Sequence, residues 1–221
     1  MPVVAINSGA TVSGNQVVSA GTAIVAQSFN INAASNTELI IAVVFQNNVS
    51  SISGTYGAKP LVLVTGPVTS TNCGRSYIYH VSAPVTGALN LNLSWTTSSD
   101  CNFAAIALDN VAGGLVAASN TGSSATGSVT LATTGSADGC VAMFQNTHTS
   151  SWSAGGTGTN LENDSATSIN NSCNWLATTT VANQVMSNGL SATDNWVAVG
   201  VAALNVAAAA VNLPPFIEVW V

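Results

Sequence analysis

Residues 89–95, LNLNLSW, alternate without a fault: Leu89, Leu91, Leu93 and Trp95 on one side, Asn90, Asn92 and Ser94 on the other. Successive side chains of an extended chain point to opposite faces, so this period of two predicts a half-buried strand. Residues 76–81, SYIYHV, repeat the pattern with Tyr77, Tyr79 and Val81 on one face, and APVTG between the two runs supplies a turn. Four further runs are short and almost wholly apolar: ELIIAVVF (38–45), FAAIAL (103–108), CVAMF (140–144) and WVAVGVAAL (196–204). Such runs predict central strands covered on both faces. No amphipathic helix of ordinary length stands out. Many short strands separated by Gly, Ser, Thr and Asn predict an all-β chain, an antiparallel β-sandwich or jelly roll.

The chain also repeats itself. Phe45-Gln46-Asn47 returns as Phe144-Gln145-Asn146, and after one extra residue Ser50-Ser51-Ile52-Ser53 returns as Ser150-Ser151-Trp152-Ser153. Cys73 matches Cys173 and Val81 matches Val181 at the same spacing, and Asp100 ahead of Phe103 resembles Asp194 ahead of Trp196. A spacing held over several anchors predicts two structurally similar halves, about 38–110 and 138–206, each an apolar strand followed by a Ser/Gly hairpin. A sheet with one apolar face needs a second such face, and two copies supply it for each other. The organisation expected is an N-terminal arm with the first strands over 1–36, a sandwich over 37–212 and a tail over 213–221.

Composition then narrows the function. Charged residues make up 5% of the 221, against about 25% in an ordinary soluble domain. Lys59 and Arg75 are the only basic residues and the formal net charge is −6, so no basic patch exists to neutralise phosphates and nucleic-acid binding is not expected. The longest apolar stretch, Trp196 to Val211, is broken by Asn205 and falls short of the roughly 18 apolar residues of a membrane helix. No membrane span is expected. The start, MPVVAINSGATVSG, has no basic end or apolar core of a secretory signal.

Reactive residues are few. Cys73, Cys101, Cys140 and Cys173 show no CxxC spacing, which argues against zinc. They stand either as small buried hydrophobes or as one or two disulfides. Any disulfide is expected between Cys73 and Cys101, each just ahead of an apolar strand in the first half. His80 sits within a strand and His148 in the second hairpin, and neither has a nucleophile motif beside it. Glu162 and Asp164 in NLENDS offer too sparse a ligand set for a calcium loop, so a solvated loop is expected. Asp100, Asp109, Asp138 and Asp194 sit at strand ends, where their side chains form turns. No catalytic, metal or cofactor residue is expected. Tyr56 and Trp152, with His148, lie in or beside the repeated hairpins; on exposed tips they would stack on sugars, and otherwise they plug the sandwich end.

The succession NTELIIAVVF, VSSISGTYGAKPLVLV, RSYIYHVSAPVTGALNLNLSW, FAAIALDNVAG and SVTLATTGSADGCVAMF resembles a jelly-roll-type β-sandwich module of tailed-phage virion proteins and some bacterial surface proteins. The resemblance runs from about Thr37 to Asn205. It rests on Tyr56-Gly57, the stretch from Tyr79 to Gly87, and the Asp-Asn-Val after AIAL. It implies a non-enzymatic virion component. The low charge and the ending LPPFIEVWV depart from the usual module.

The termini complete the expectation. Val3, Val4 and Ile6 at one end, and Pro214, Pro215, Phe216, Ile217, Val219, Trp220 and Val221 at the other, are apolar and outside the paired halves. Pro214-Pro215 imposes an extended entry, and a sticky tail makes sense where it adds to a partner's sheet. The function expected is a capsid decoration or head-associated protein of a tailed phage, with a tail position next. It would assemble in the host cytoplasm as a symmetric oligomer, a trimer by preference, and dock on the major capsid or other virion proteins through its ends. The alternatives are a carbohydrate-binding or adhesin module, and a surface-layer or filament subunit.

Overall fold

The computed structural model describes residues 3–8, 13–14, 18–134, 137–147, 150–153, 155–164, 169–177 and 183–205. His148, Val181 and the tail residues Pro214, Pro215, Phe216, Ile217, Val219, Trp220 and Val221 lie outside them. The described chain is all-β, an antiparallel sandwich of two sheets. No helix among the described residues is long and apolar enough to cross a membrane.

The first sheet holds β1 (Ala5–Ile6), β2 (Ser13–Gly14), β3 (Val18–Ile31), β4 (Glu38–Phe45), β5 (Ser53–Tyr56), β6 (Lys59–Pro60), β7 (Val62–Val68), β8 (Arg75–Ser82) and β9 (Gly87–Asp109). The second holds β10 (Gly114–Ala132), β11 (Gly139–Asn146), β12 (Thr159–Asp164), β13 (Asn170–Ala177) and β14 (Asn183–Leu204). In the first, β3 pairs β9, β9 pairs β4, β4 pairs β8 and β8 pairs β7; in the second, β10, β14, β11, β13 and β12 follow in the same relation. The two sheets therefore share one strand order. The long strands β9 and β14 create it. The second part of each pairs with the apolar strand of its half, β4 or β11, and the first part runs on to β5 or to the bridge Trp152↔Leu190.

Register corrects one detail of the repeat. Phe45 lies opposite Arg75 and Cys101, and Phe144 lies opposite Ser172 and Ala198. Counting from these pairs, Cys173 corresponds to Ser76 and not to Cys73, which lies ahead of β8 rather than on a strand. Loop lengths differ between the halves, so a constant spacing in sequence does not survive past the first hairpin. Ile52 and Trp152 do take similar places, each against the interior of its own sheet.

Three apolar clusters follow from the alternation. Ile40, Ala42 and Val44 of β4 meet Val141 and Met143 of β11 between the sheets. The opposite face of β4, with Leu39, Ile41, Val43 and Phe45, packs inside the curl of the first sheet against Phe29, Leu91, Leu93 and Trp95. Phe144, Trp152, Met186 and Trp196 fill the curl of the second sheet. Both faces of β4 and β11 are buried, as their unbroken apolar runs predict.

The N-terminal residues belong to this fold. Val4 is buried between the sheets, and its N–H donates to Ala137 at 2.8 Å. Ile6 pairs with Leu108 and packs on the same cluster. Both are thus used within the fold, where the sequence expectation gave them to docking: pairing along β9 gives this apolar end a partner inside its own chain. Val3 alone of the three is exposed.

Candidate functional site

The carboxylates are hubs that hold strands together. Asp109, at the end of β9, accepts from Asn7 Nδ2 at 2.9 and 3.1 Å and from Thr37 Oγ1 at 2.8 Å. Asp138, just ahead of β11, accepts from Thr134 N at 2.6 Å and Asn205 N at 2.9 Å, joining the end of β10 to the end of β14. Asp194, within β14, accepts from Asn146 Nδ2 at 2.8 Å, Ser150 Oγ at 3.0 Å, Asn195 N at 2.8 Å and the Thr147 hydroxyl. Bonds to an ionised acceptor are roughly twice as strong as neutral ones, so each hub fixes a loop that apolar packing cannot hold.

The two cations and the described histidine are tied down as well. Arg75 Nη1 donates to Val49 O at 2.8 Å and its Nε to Asn48 at 3.2 Å, while Lys59 Nζ reaches Ser82 O at 3.2 Å. His80 Nδ1 lies 2.9 Å from Glu38 Oε2, and Ser82 Oγ donates to the other carboxylate oxygen at 2.6 Å. Among the described residues, no group of three or more His, Cys, Asp or Glu side chains converges on a metal position. Glu162 and Asp164 fall on strand β12 rather than in a loop.

The aromatic residues in or beside the repeated hairpins are inside, the plugging alternative of the two. Tyr56 is fully buried, and its hydroxyl donates to the carbonyls of Phe29 at 2.9 Å and Gly87 at 3.0 Å. Trp152 is buried against Phe144, with ring centroids 5.5 Å apart, and its Nε1–H donates to Asn170 O at 3.3 Å. Neither is placed to stack on a sugar, because large apolar rings gain more from plugging the open ends of curled sheets than from solvent. His148 lies outside the described residues.

All four cysteines are buried. Cys73 belongs to the cluster between the sheets and Cys101 to the cluster inside the first sheet. The two lie in different clusters and are not bridged, which fits the reading of the cysteines as small buried hydrophobes rather than the Cys73–Cys101 disulfide.

No protein-family model, curated protein or solved structure matches this chain.

One buried group escaped the sequence. Gln145 reaches across the sandwich: its Nε2 donates to Phe45 O at 2.9 Å and its Oε1 accepts from Ser76 Oγ at 2.8 Å. Beside it Asn102 Nδ2 donates to Asn171 Oδ1 at 2.9 Å. This polar seam joins β4, β8 and β9 to β11 and β13. The repeated FQN phrase marked the spot, but its two glutamines behave differently, since Gln46 is exposed and Gln145 buried. A shallow groove of about 310 Å³ crosses β3, β5 and β9 beside Val25. Its rim groups are already engaged, with Ser53 and Ser94 hydroxyls 2.9 Å apart and Asn92 Oδ1 accepting from Ala26 N at 2.7 Å.

Proposed function

We propose that the chain is a non-enzymatic structural subunit of a virion, a capsid decoration or head-associated protein of a tailed phage that assembles in the host cytoplasm. One observation carries the non-catalytic part. The acidic and aromatic side chains a binding or catalytic site would draw on, Asp109, Asp138, Asp194, Tyr56 and Trp152, are spent on closing the fold. Among the described residues, the exposed surface is left largely to small neutral residues, with scattered apolar side chains such as Val25, Val62 and Leu63. The phage part is supported by the resemblance of the strand and turn motifs between Thr37 and Asn205 to the virion module. The docking element in this reading is the apolar tail 213–221, since Val4 and Ile6 are used internally.

The test is to add the purified chain to particles of its source that lack it. Stoichiometric uptake by the full chain is expected, with none by a chain ending at residue 212 that still melts cooperatively. Six large apolar side chains, Leu213, Phe216, Ile217, Val219, Trp220 and Val221, each worth about 1.5–3 kcal/mol when fully buried, are removed by that truncation. Normal uptake of the shortened chain would end the docking role, and absence of uptake by the full chain would end the virion reading.

A further inference from the structure

A sheet edge presents unpaired N–H and C=O groups, and folded chains blunt such edges with charge, proline, bulges or short strands. The outermost strands of the described residues follow this rule with one exception. β6 is two residues long, Lys59-Pro60. β7 contains Pro67 and two register shifts. β12 includes Glu162 and Asp164 in its sequence and a register shift. β3 shifts register three times along β9, with Ala26 at φ 56°. β10, its counterpart in the second sheet, has no charged residue and no proline, and pairs β14 without a shift from Gly114 to Ser124.

Part of that edge is closed by the strand itself. Asn120 accepts from Thr121 N at 2.9 Å and donates to Ser128 O at 3.0 Å, laying its amide across the edge. What stays open is the segment from Gly114 to Ser119, GLVAAS, with Val116 and Ser119 exposed. We propose that this segment pairs antiparallel with the same segment of a second copy, joining two five-stranded sheets into one across a two-fold axis. Identical strands suit such a contact because a two-fold interface must be self-complementary. GLVAAS meets that condition: with the axis at Val116, the Val116 side chains of the two copies face each other and Leu115 faces Ala117, and no charged side chain is brought opposite a like charge. The equivalent edge in the first sheet, broken by bulges, has no such continuous run to offer.

This inference rests on reading the chain as an assembling subunit, and the experiment separates the two. Sedimentation equilibrium of the full chain is compared with Val116→Lys/Ser119→Lys, Val116→Glu/Ser119→Glu and a control on another edge, Val62→Lys/Leu63→Lys. All four substituted positions are exposed, so melting should change little. The wild-type chain and the β7 control should form a reversible dimer. Each like-charged β10 pair should weaken it by about tenfold or more, and mixing the Lys and Glu chains should restore a heterodimer. A dimer that survives in both β10 variants, or that is lost only on removing residues 206–221, overturns the β10 pairing and leaves the subunit reading standing. A wild-type chain that is monomeric at every concentration and is also refused by particles overturns both.

Discussion

Equivalent positions in the two halves have been filled by different chemistry. Counting register from Phe45 and Phe144, Tyr77 on β8 corresponds to Asn174 on β13. The first sheet accordingly encloses stacked Tyr77 and Tyr79, whereas the second encloses Asn174, Asn160, Ser172 and Asn188 bonded to one another at 2.7–3.4 Å. This interior is not fully satisfied, since Asn174 Nδ2 is buried without a hydrogen-bond partner among the described residues, so it specifies the packing at some cost in stability. The thiols show burial directly. Loss of solvation, followed by the Asp194 charge, pushes Cys73 up to about 12; burial and then Asp138 do the same for Cys140. An unfolded thiol loses its proton near 9.0. Between those values the unfolded chain binds fewer protons, so stability should be insensitive to these groups below pH 9 and fall as pH rises toward 12. Urea midpoints across that range measure it, and Cys140→Ala should lessen the fall. A midpoint that stays flat would show the thiols to be solvated.

At the scale of elements, the long strands do most of the organising. β9 and β14 each serve two neighbours in succession, so one bend converts a flat sheet into a curled one with an inside. Where β8 begins, the chain passes so close to the end of β4 that a Cβ on Gly74 would lie 1.6 Å from Phe45 O and 2.6 Å from Gln46 O. Both are backbone atoms and cannot rotate aside. Gly74→Ala should therefore destabilise the chain by about 1–3 kcal/mol or more, read from chemical denaturation. Gly155→Ala, where an added Cβ meets nothing within 4 Å, should stay within about 0.5 kcal/mol of the parent. Equal effects at the two sites would mean that the β4–β8 approach relaxes freely.

At the scale of the molecule, two sheets of the same strand order do not make two independent units. The cluster between them draws on β4, β8 and β9 from one side and on β11, β13 and β14 from the other, and Val4 closes it. Across this contact the polar seam of Gln145, Ser76, Asn102 and Asn171 fixes how the sheets sit. Each such bond nets only about 0.5–1.5 kcal/mol, so the seam selects one arrangement while the apolar contact supplies the larger stabilisation. Separating the sheets would expose the shared apolar face of each, although each keeps the cluster inside its own curl. Heating should give a single transition with calorimetric and van't Hoff enthalpies in agreement. Two resolved transitions would mean that the sheets fold separately and meet weakly.

By itself the sequence determined the strand class and the buried faces of β4, β8, β9, β11 and β14. Those features are local: alternation and unbroken apolar runs state which face is covered whatever the partner. It did not reveal β10, whose Ser, Thr, Ala and Gly carry no period and whose strand state comes from pairing with β14. Nor did it decide between tip and plug for Tyr56 and Trp152, because an aromatic beside a Gly turn has the same local signature in either place, and it did not reveal that Val4 and Ile6 pack against the core. The cysteine faces were hidden for a related reason. Which side of a sheet a residue takes depends on register, and register is decided by strands far away in the chain. Tertiary structure alone settled those points, since the free energy that decides them comes from contacts between β3 and β9, β10 and β14, and the two sheets, not from neighbours in sequence.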